Sequence, residues 1–201
     1  MNWDELFIKM AFLVSEKSKD PSTKVGCVLV SRDNAVLSTG FNGFPRGVKE
    51  EESYMEQVQD YPVFYPEKRL IADRWARPAK YSWIEHAERN AIYNAARAGV
   101  KIAGAKAYLN WEPQPCADCC RGLIQAGIVE IIGPDIPFKG AGAGVSYHLD
   151  FAKVMCEESG VIQRIVPWEI ERKIEIDKTG LTSEERKELE DLRFRMAGLE
   201  K

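Results

Sequence analysis

Two short stretches carry groups able to do chemistry: His86-Ala87-Glu88 and, thirty residues on, Pro115-Cys116-Ala117-Asp118-Cys119. Together they offer one imidazole, two thiols and a carboxylate. Imidazole nitrogen and thiolate sulfur are the donors zinc prefers, and three of them are one short of a closed tetrahedral shell. An open fourth position separates a zinc that serves chemistry from one that only staples a fold. The expected cofactor is therefore Zn2+, held by His86, Cys116 and Cys119 in a catalytic arrangement.

Thiolates form most readily where a helix N-terminus presents its unpaired amides. Pro115 suits entry into a helix, which puts Cys116 and Cys119 in its first turn. Cys-x-x-Cys alone is shared with redox pairs and structural zinc sites; His86 at a second helix start narrows the choice. In the body of a helix, residues two apart point to nearly opposite sides. His86 and Glu88 can therefore share a pocket only at a helix entrance, where His86 is not yet fully helical. Such a carboxylate lies close to the metal without ligating it, so Glu88 is the candidate catalytic residue. A purely structural zinc would need a fourth protein ligand, and Cys120, one position on from Cys119, turns ~100° away.

These groups sit in a chain of 201 residues, 45% apolar and 29% charged. That is enough for one sizeable domain, or for a domain of roughly 150 residues with an extension. Lys and Arg number 28 against 31 Asp and Glu, a net charge of -3. There is no global basic field for a nucleic acid, so none is expected as a partner. Five cysteines, an odd number, and the acidic start Met1-Asn2-Trp3-Asp4-Glu5 fit a reducing, cytoplasmic setting. No apolar run approaches the ~18 residues of a membrane span, and no membrane association is expected.

The apolar spacing of Trp3, Leu6, Phe7, Met10, Ala11 and Val14 predicts a helix, capped by Asn2 with Glu5 and ended by Ser18. Val25 to Val30 and Val36 to Phe41 read as strands joined by a hairpin turn at Arg32-Asp33-Asn34. Gly40 to Gly47 is a loop of the kind that carries binding groups. An insertion of about residues 49–80 follows, partly helical around Lys68 to Trp75. A helix from His86 to Ala98 stops at Gly99. Then come a strand from Lys106 to Leu109, a helix from Cys116 to Ala126, and a strand from Ile128 to Ile132, a crossover with parallel neighbours. Lys139 to Gly144 reads as a loop, Leu149 to Ser159 as a helix and Val161 to Val166 as the last strand. Cys27 and Cys156 read as core residues, and His148 as a loop or cap residue. Beyond Pro167, Thr182 and Glu185 cap a charged helix with a stripe of Leu189, Leu192, Met196 and Leu199. The expected division is a domain over residues 1–166, with the insertion at about 49–80, and a charged helical C-terminal extension over 167–201.

His-x-Glu followed by Pro-Cys-x-x-Cys is the known pattern of zinc nucleobase deaminases. The sequence resembles the deoxycytidylate (dCMP) deaminase family of the cytidine deaminase superfamily over about residues 1–166. The resemblance is carried by Ser18 to Gly26, Gly40 to Gly47, His86 to Ile92 and Pro115 to Cys119, ending in Ile124-Gln125-Ala126-Gly127-Ile128. It implies an α/β fold of three layers, α/β/α, around a five-stranded mixed sheet. It also implies hydrolysis of the 4-amino group of a cytosine nucleotide, with Glu88 moving the protons. By position in the family motif, Asn42 contacts the sugar, and Ser22, Thr23 and Lys24 lie on the phosphate side. Homo-oligomers regulated by dCTP and dTTP are implied in the same way. The 49–80 insertion, the tail beyond residue 167, and Cys120 at a position where the family commonly has alanine depart from the pattern.

The alternatives are deamination of a 5-modified dCMP, of a free (deoxy)cytidine or of a base in nucleic acid. A non-catalytic, nucleotide-sensing zinc protein is the rival from another class, and a fourth protein ligand or an obstructed pocket beside Glu88 would mark it.

Overall fold

The structure is a computed structural model, and it describes residues 1–48, 50, 74–76, 80–137 and 148–168. The chain divides into two units, Met1–Pro167 and Trp168–Lys201; Trp168 aside, the described residues fall in the first. The expected loop at Lys139 to Gly144 and the expected C-terminal helix lie outside the described residues. So does most of the segment around Lys68 to Trp75, of which Arg74 and Trp75 are described, in a turn.

Asn2 begins the first helix, α1 (Trp3–Ser15), with a complete capping box: its side chain accepts from Glu5 N, and Glu5 reaches back to the Asn2 amide. The strands β1 (Gly26–Val30) and β2 (Val36–Phe41) form an antiparallel hairpin. Asn34 takes the left-handed conformation in its turn, with φ 66°. A single helical turn, α2 (Lys80–Trp83), leads to α3 (Ala87–Ala98), which Gly99 ends at φ 68°. Then follow β3 (Lys106–Leu109), α4 (Ala117–Gln125), β4 (Glu130–Pro134), α5 (Leu149–Ser159) and β5 (Ile162–Val166). The sheet order is β2-β1-β3-β4-β5; β1 runs antiparallel to both neighbours, and β3, β4 and β5 are parallel.

The strand boundaries differ from the sequence reading by one or two residues: β1 starts at Gly26, and β4 and β5 start late because the first apolar residue of each run closes the preceding helix. Ile128 N still donates to Leu123 O, so β4 starts at Glu130; pairing of Gly133 and Pro134 with β5 extends it past Ile132. Likewise Val161 N closes the end of α5 on Cys156 O, and β5 starts one residue later.

Alternation along the strands sorts the core into two layers. Val28, Val30, Tyr108 and Ile132 are buried, as are Phe7, Ile8 and Ala11 of α1, and Phe7 meets Tyr108 at 5.0 Å between ring centroids. On the opposite face Cys27, Leu29, Ala107, Leu109 and Ile131 pack with Ala87, Ala91 and Ala95 of α3, Cys120 and Leu123 of α4, and Ala152 and Cys156 of α5. The sheet is thus covered by helix on both sides, a three-layer α/β/α arrangement. Cys27 and Cys156 are core residues, as their apolar surroundings in sequence imply.

One contact fixes the helix that carries the chemistry. A Cβ on Gly40 would overlap Ala87 O and Ala91 N, so only glycine lets the first turns of α3 lie directly on β2. Three hydrogen bonds hold it there: Ser38 Oγ donates to Ala91 O, Asn90 Nδ2 to Phe41 O and Asn94 Nδ2 to Thr39 O, each at 2.8 Å.

Candidate active site

His86 is the N-cap of α3, with extended φ -77° and ψ 157°. The residue before it is pinned by a β-bridge, Glu85 N to Gly43 O at 2.8 Å and Gly43 N to Glu85 O at 3.0 Å. The imidazole is thereby held off the helix at the end of β2. Cys116 is the N-cap of α4, equally extended, and its sulfur accepts from Cys119 N at 3.5 Å. Its approach is stiffened by the buried rings of Pro113 and Pro115 and by Gln163 Nε2, which donates to Pro113 O at 2.7 Å.

These two helix starts converge. His86 Nδ1 lies 3.4 Å from both Cys116 Sγ and Cys119 Sγ, and the three donor atoms fall within 4.8 Å of one another. The sulfurs do not share their charge evenly. Cys116 is pushed down to about 4, first by the hydrogen bond from the Cys119 thiol and then, against its burial, by His86. Cys119 is pushed up in turn, by its bond to Cys116 and by burial. Two thiolates at this distance need a cation between them, and a dication bound there stabilises both. The donor set and its spacing fit zinc. Among the described residues, no fourth His, Cys, Asp or Glu joins the cluster.

Glu88, the second residue of α3, is 3% exposed, and its Oε2 has no hydrogen-bond partner. A buried carboxylate oxygen left so is uncommon and calls for a ligand or a function. Burial is the main cause that raises its pKa, offset in part by His86. Glu88, His86 and Cys116 share one cavity, walled by the apolar Val25, Ile84, Trp111 and Leu149. Its remaining wall carries polar groups: Asp20, Thr23, Asn42, Lys80, Tyr81 and Gln114.

The residues picked for substrate contacts are distributed unevenly about this wall. Asn42 lines the cavity, but its amide is engaged within the protein: Oδ1 accepts from Val25 N at 2.8 Å, and Nδ2 donates to Thr23 O at 2.9 Å and Asp20 Oδ2 at 3.1 Å. Thr23 lines it too. Ser22 stands behind it, its hydroxyl accepting from Lys80 Nζ at 3.1 Å. Lys24 does not line the cavity; its Nζ pairs with Glu16 at 3.1 Å. The sequence reading passed over Asp20, Lys80, Trp111 and Gln114, all cavity residues. Asp20 sits inside the Ser18 to Gly26 segment and could have been found there. Lys80 closes an aperiodic stretch and carries no local signal. His148 is the N-cap of α5, at φ 49°.

The family model of the cytidine and deoxycytidylate deaminase zinc-binding region matches residues 1–133. The chain belongs to this deaminase family. Its fold and the cluster of His86, Cys116 and Cys119, which could hold a zinc ion, agree with that membership. The chain is 35% identical over 132 residues to deoxycytidylate deaminase of Mus musculus, covering 66% of this chain and 64% of that protein. It is 33% identical to the Homo sapiens protein with the same coverage, and 31% identical to that of Enterobacteria phage T4 over 62% of this chain and 74% of the phage protein. The match thus spans somewhat less than two thirds of the mouse and human proteins. Among solved structures, dCMP deaminase of cyanophage S-TIM5 in complex with dCMP and dUMP superposes with a TM-score of 0.55 at 22% identity, covering 81% of this chain and 95% of that one. Aspergillus oryzae Rib2 deaminase gives 0.51 at 17%, covering 92% and 96%. Both share the deaminase fold. Among the described residues, no helix is long and apolar enough to cross a membrane.

Proposed function

We propose that this deaminase hydrolyses dCMP to dUMP and ammonia, and that residues 1–166 form the domain that does so. The observation that carries the reading is the buried, unpartnered carboxylate oxygen of Glu88 in the cavity it shares with His86 and Cys116. Support for the substrate comes from the relatives named deoxycytidylate deaminase and from the cyanophage enzyme's complex with dCMP and dUMP.

Held by His86, Cys116 and Cys119, zinc supplies the Lewis acidity that makes water a nucleophile near neutral pH. Glu88 takes a proton from the attacking water and delivers it to ring N3 as the C4–O bond forms. It then takes the second proton of that oxygen and passes it to the amino group, so that the C4–N bond breaks and ammonia leaves. One water is consumed, N3 keeps its proton and Glu88 ends ionised, as it began. Burial suits the carboxylate to this double role, because a raised pKa brings proton gain and loss closer in energy. Val25, Ile84, Trp111 and Leu149 form the apolar surface for the base. The ribose and phosphate then face the wall of Thr23, Asn42 and the neighbouring Ser22 and Lys24.

Homo-oligomeric assembly, regulation by dCTP and dTTP, and a cytoplasmic setting belong to the same proposal, on family grounds. Ammonia release from dCMP, 5-methyl-dCMP, deoxycytidine and a single-stranded oligonucleotide, with and without dTTP, tests the reading. Preference for dCMP is the expected result; preference for the oligonucleotide refutes it.

A further inference from the structure

We propose that Lys80 is a positioning residue for the substrate: by neutralising and holding Asp20, it sets the wall of the active-site cavity at Thr23 and Asn42, with Ser22 behind it. The inference rests on the dCMP deaminase reading above and adds a residue to it.

Lys80 is 3% exposed, unusual for a lysine, and its ammonium makes three hydrogen bonds: to Asp20 Oδ1 at 2.8 Å, Asp20 Oδ2 at 2.7 Å and Ser22 Oγ at 3.1 Å. An ammonium has three hydrogens, so its donor capacity is spent inside the protein. That argues against Lys80 as the direct phosphate ligand, despite its place on the cavity wall. Asp20, also 3% exposed, is the hub. Its Oδ1 accepts further from Ser22 N at 2.8 Å and Thr23 N at 3.2 Å, and its Oδ2 from Asn42 Nδ2 at 3.1 Å. Asn42 then fixes Val25 N at the start of β1, and Ser18 Oγ fixes Asn42 O at 2.8 Å. Three separate pieces of chain meet in this network: the 18–25 loop, the end of β2, and α2.

A buried carboxylate needs this much compensation to stay ionised: burial pushes its pKa up, and the Lys80 ammonium together with the Ser22 and Thr23 amides holds it below the usual value. Without the ammonium, Asp20 is left in the cavity wall as an uncompensated charge or takes up a proton; either change loosens the turn at 20–25 that the sugar and phosphate meet. His86, Cys116 and Cys119 are held by other contacts, the Gly43–Glu85 bridge and the α4 cap. Loss of Lys80 should therefore act on binding more than on the metal or the proton transfers.

The test compares zinc-loaded wild type with Lys80→Met, Lys80→Arg and Asp20→Asn/Lys80→Met, at a temperature where circular dichroism shows each folded. In Lys80→Met, KM for dCMP should rise about tenfold or more, with kcat and zinc content within about threefold. Amide exchange should quicken at Ser22, Thr23 and Val25, and Lys80→Arg should recover part of both effects. If the single variant does not fold, the double variant carries the same expectation. A KM within about twofold of wild type, a fall in kcat alone, a loss confined to dCMP and absent with deoxycytidine, or failure of both variants to fold overturns the proposal. If the wild type turns over no cytosine nucleotide, the functional reading fails by itself. The exchange measurement then decides this one, and unchanged protection at 22–25 overturns it.

Discussion

His86 and Glu88, only two residues apart, line the same cavity because the first is an extended N-cap and the helix begins between them. Two covering contacts keep it so: the bridge of Glu85 to Gly43 before the cap, and the seat of Ala87 and Ala91 on Gly40 after it. A side chain at residue 40 must push the first turn of α3 off β2. Gly40→Ala is predicted to lose about 1–3 kcal/mol of stability and to weaken zinc retention, read by urea denaturation and by metal content after dialysis against a chelator. Wild-type values for both would show that the close approach does not position the site.

The proposed zinc ligands should separate cleanly from their neighbours. Cys120 Sγ points the other way, 3.4 Å from both Ala152 O and Cys156 Sγ, in the contact between α4 and α5. Cys116→Ser and Cys119→Ser are predicted to lose bound zinc, while Cys120→Ala and Cys156→Ala keep about one zinc per chain and lose only about 1 kcal/mol or more of packing. Metal analysis of the four purified variants checks this; zinc loss in Cys120→Ala would place a ligand where the geometry does not.

Much of this was legible before any coordinates. The nearly continuous apolar run of Val25 to Val30, the 3-4 spacing after Trp3 and the cap residues around His86 and Cys116 are local signals, and local signals place helix starts well. The helix-entrance argument for His86 and Glu88 needed only the angular spacing of a helix. What escaped is non-local. Lys80 and Asp20 are sixty residues apart, and nothing near Lys80 announces a buried partner. Asn42 could be placed at the site from its motif, but not the fate of its amide, which Val25, Thr23 and Asp20 share. Lys24, one residue from Thr23, turns to Glu16 because strand-like alternation sends neighbours to opposite sides.

The Asp20–Lys80 pair also makes a prediction about pH and stability. Asp20 has a folded pKa below its unfolded value. Its contribution is therefore fully present above the ordinary value of about 3.9 and is lost as pH falls through the lowered folded value. In Lys80→Met the sign reverses: burial without the cation raises the folded pKa, so the variant suffers most when Asp20 must be ionised. Urea midpoints should show a deficit of about 3–5 kcal/mol near neutral pH that shrinks as pH falls toward about 4. A deficit constant over that range, or one that grows on acidification, would contradict the assignment.

The opposite face of the sheet offers an independent check on the fold. Arg164 in β5 donates to Asp4 Oδ2 at 2.6 Å and to Glu130 Oε1 at 2.6 Å, and Tyr108 OH donates to Asp4 Oδ1 at 2.8 Å. Arg164→Met should cost about 1 kcal/mol, the discounted value for a partly exposed pair, and leave turnover of dCMP unchanged. A change in kcat would mean that this network reaches the site.

The central claim is that Glu88 carries the protons for deamination beside a zinc held by His86, Cys116 and Cys119. The direct measurement is ammonia release from dCMP by wild type and Glu88→Gln, both assayed at matched zinc content. The account predicts one zinc per chain in both proteins and a turnover lower by about 10²–10⁴-fold in the variant. Turnover by Glu88→Gln at the wild-type rate, with its zinc in place, would contradict it.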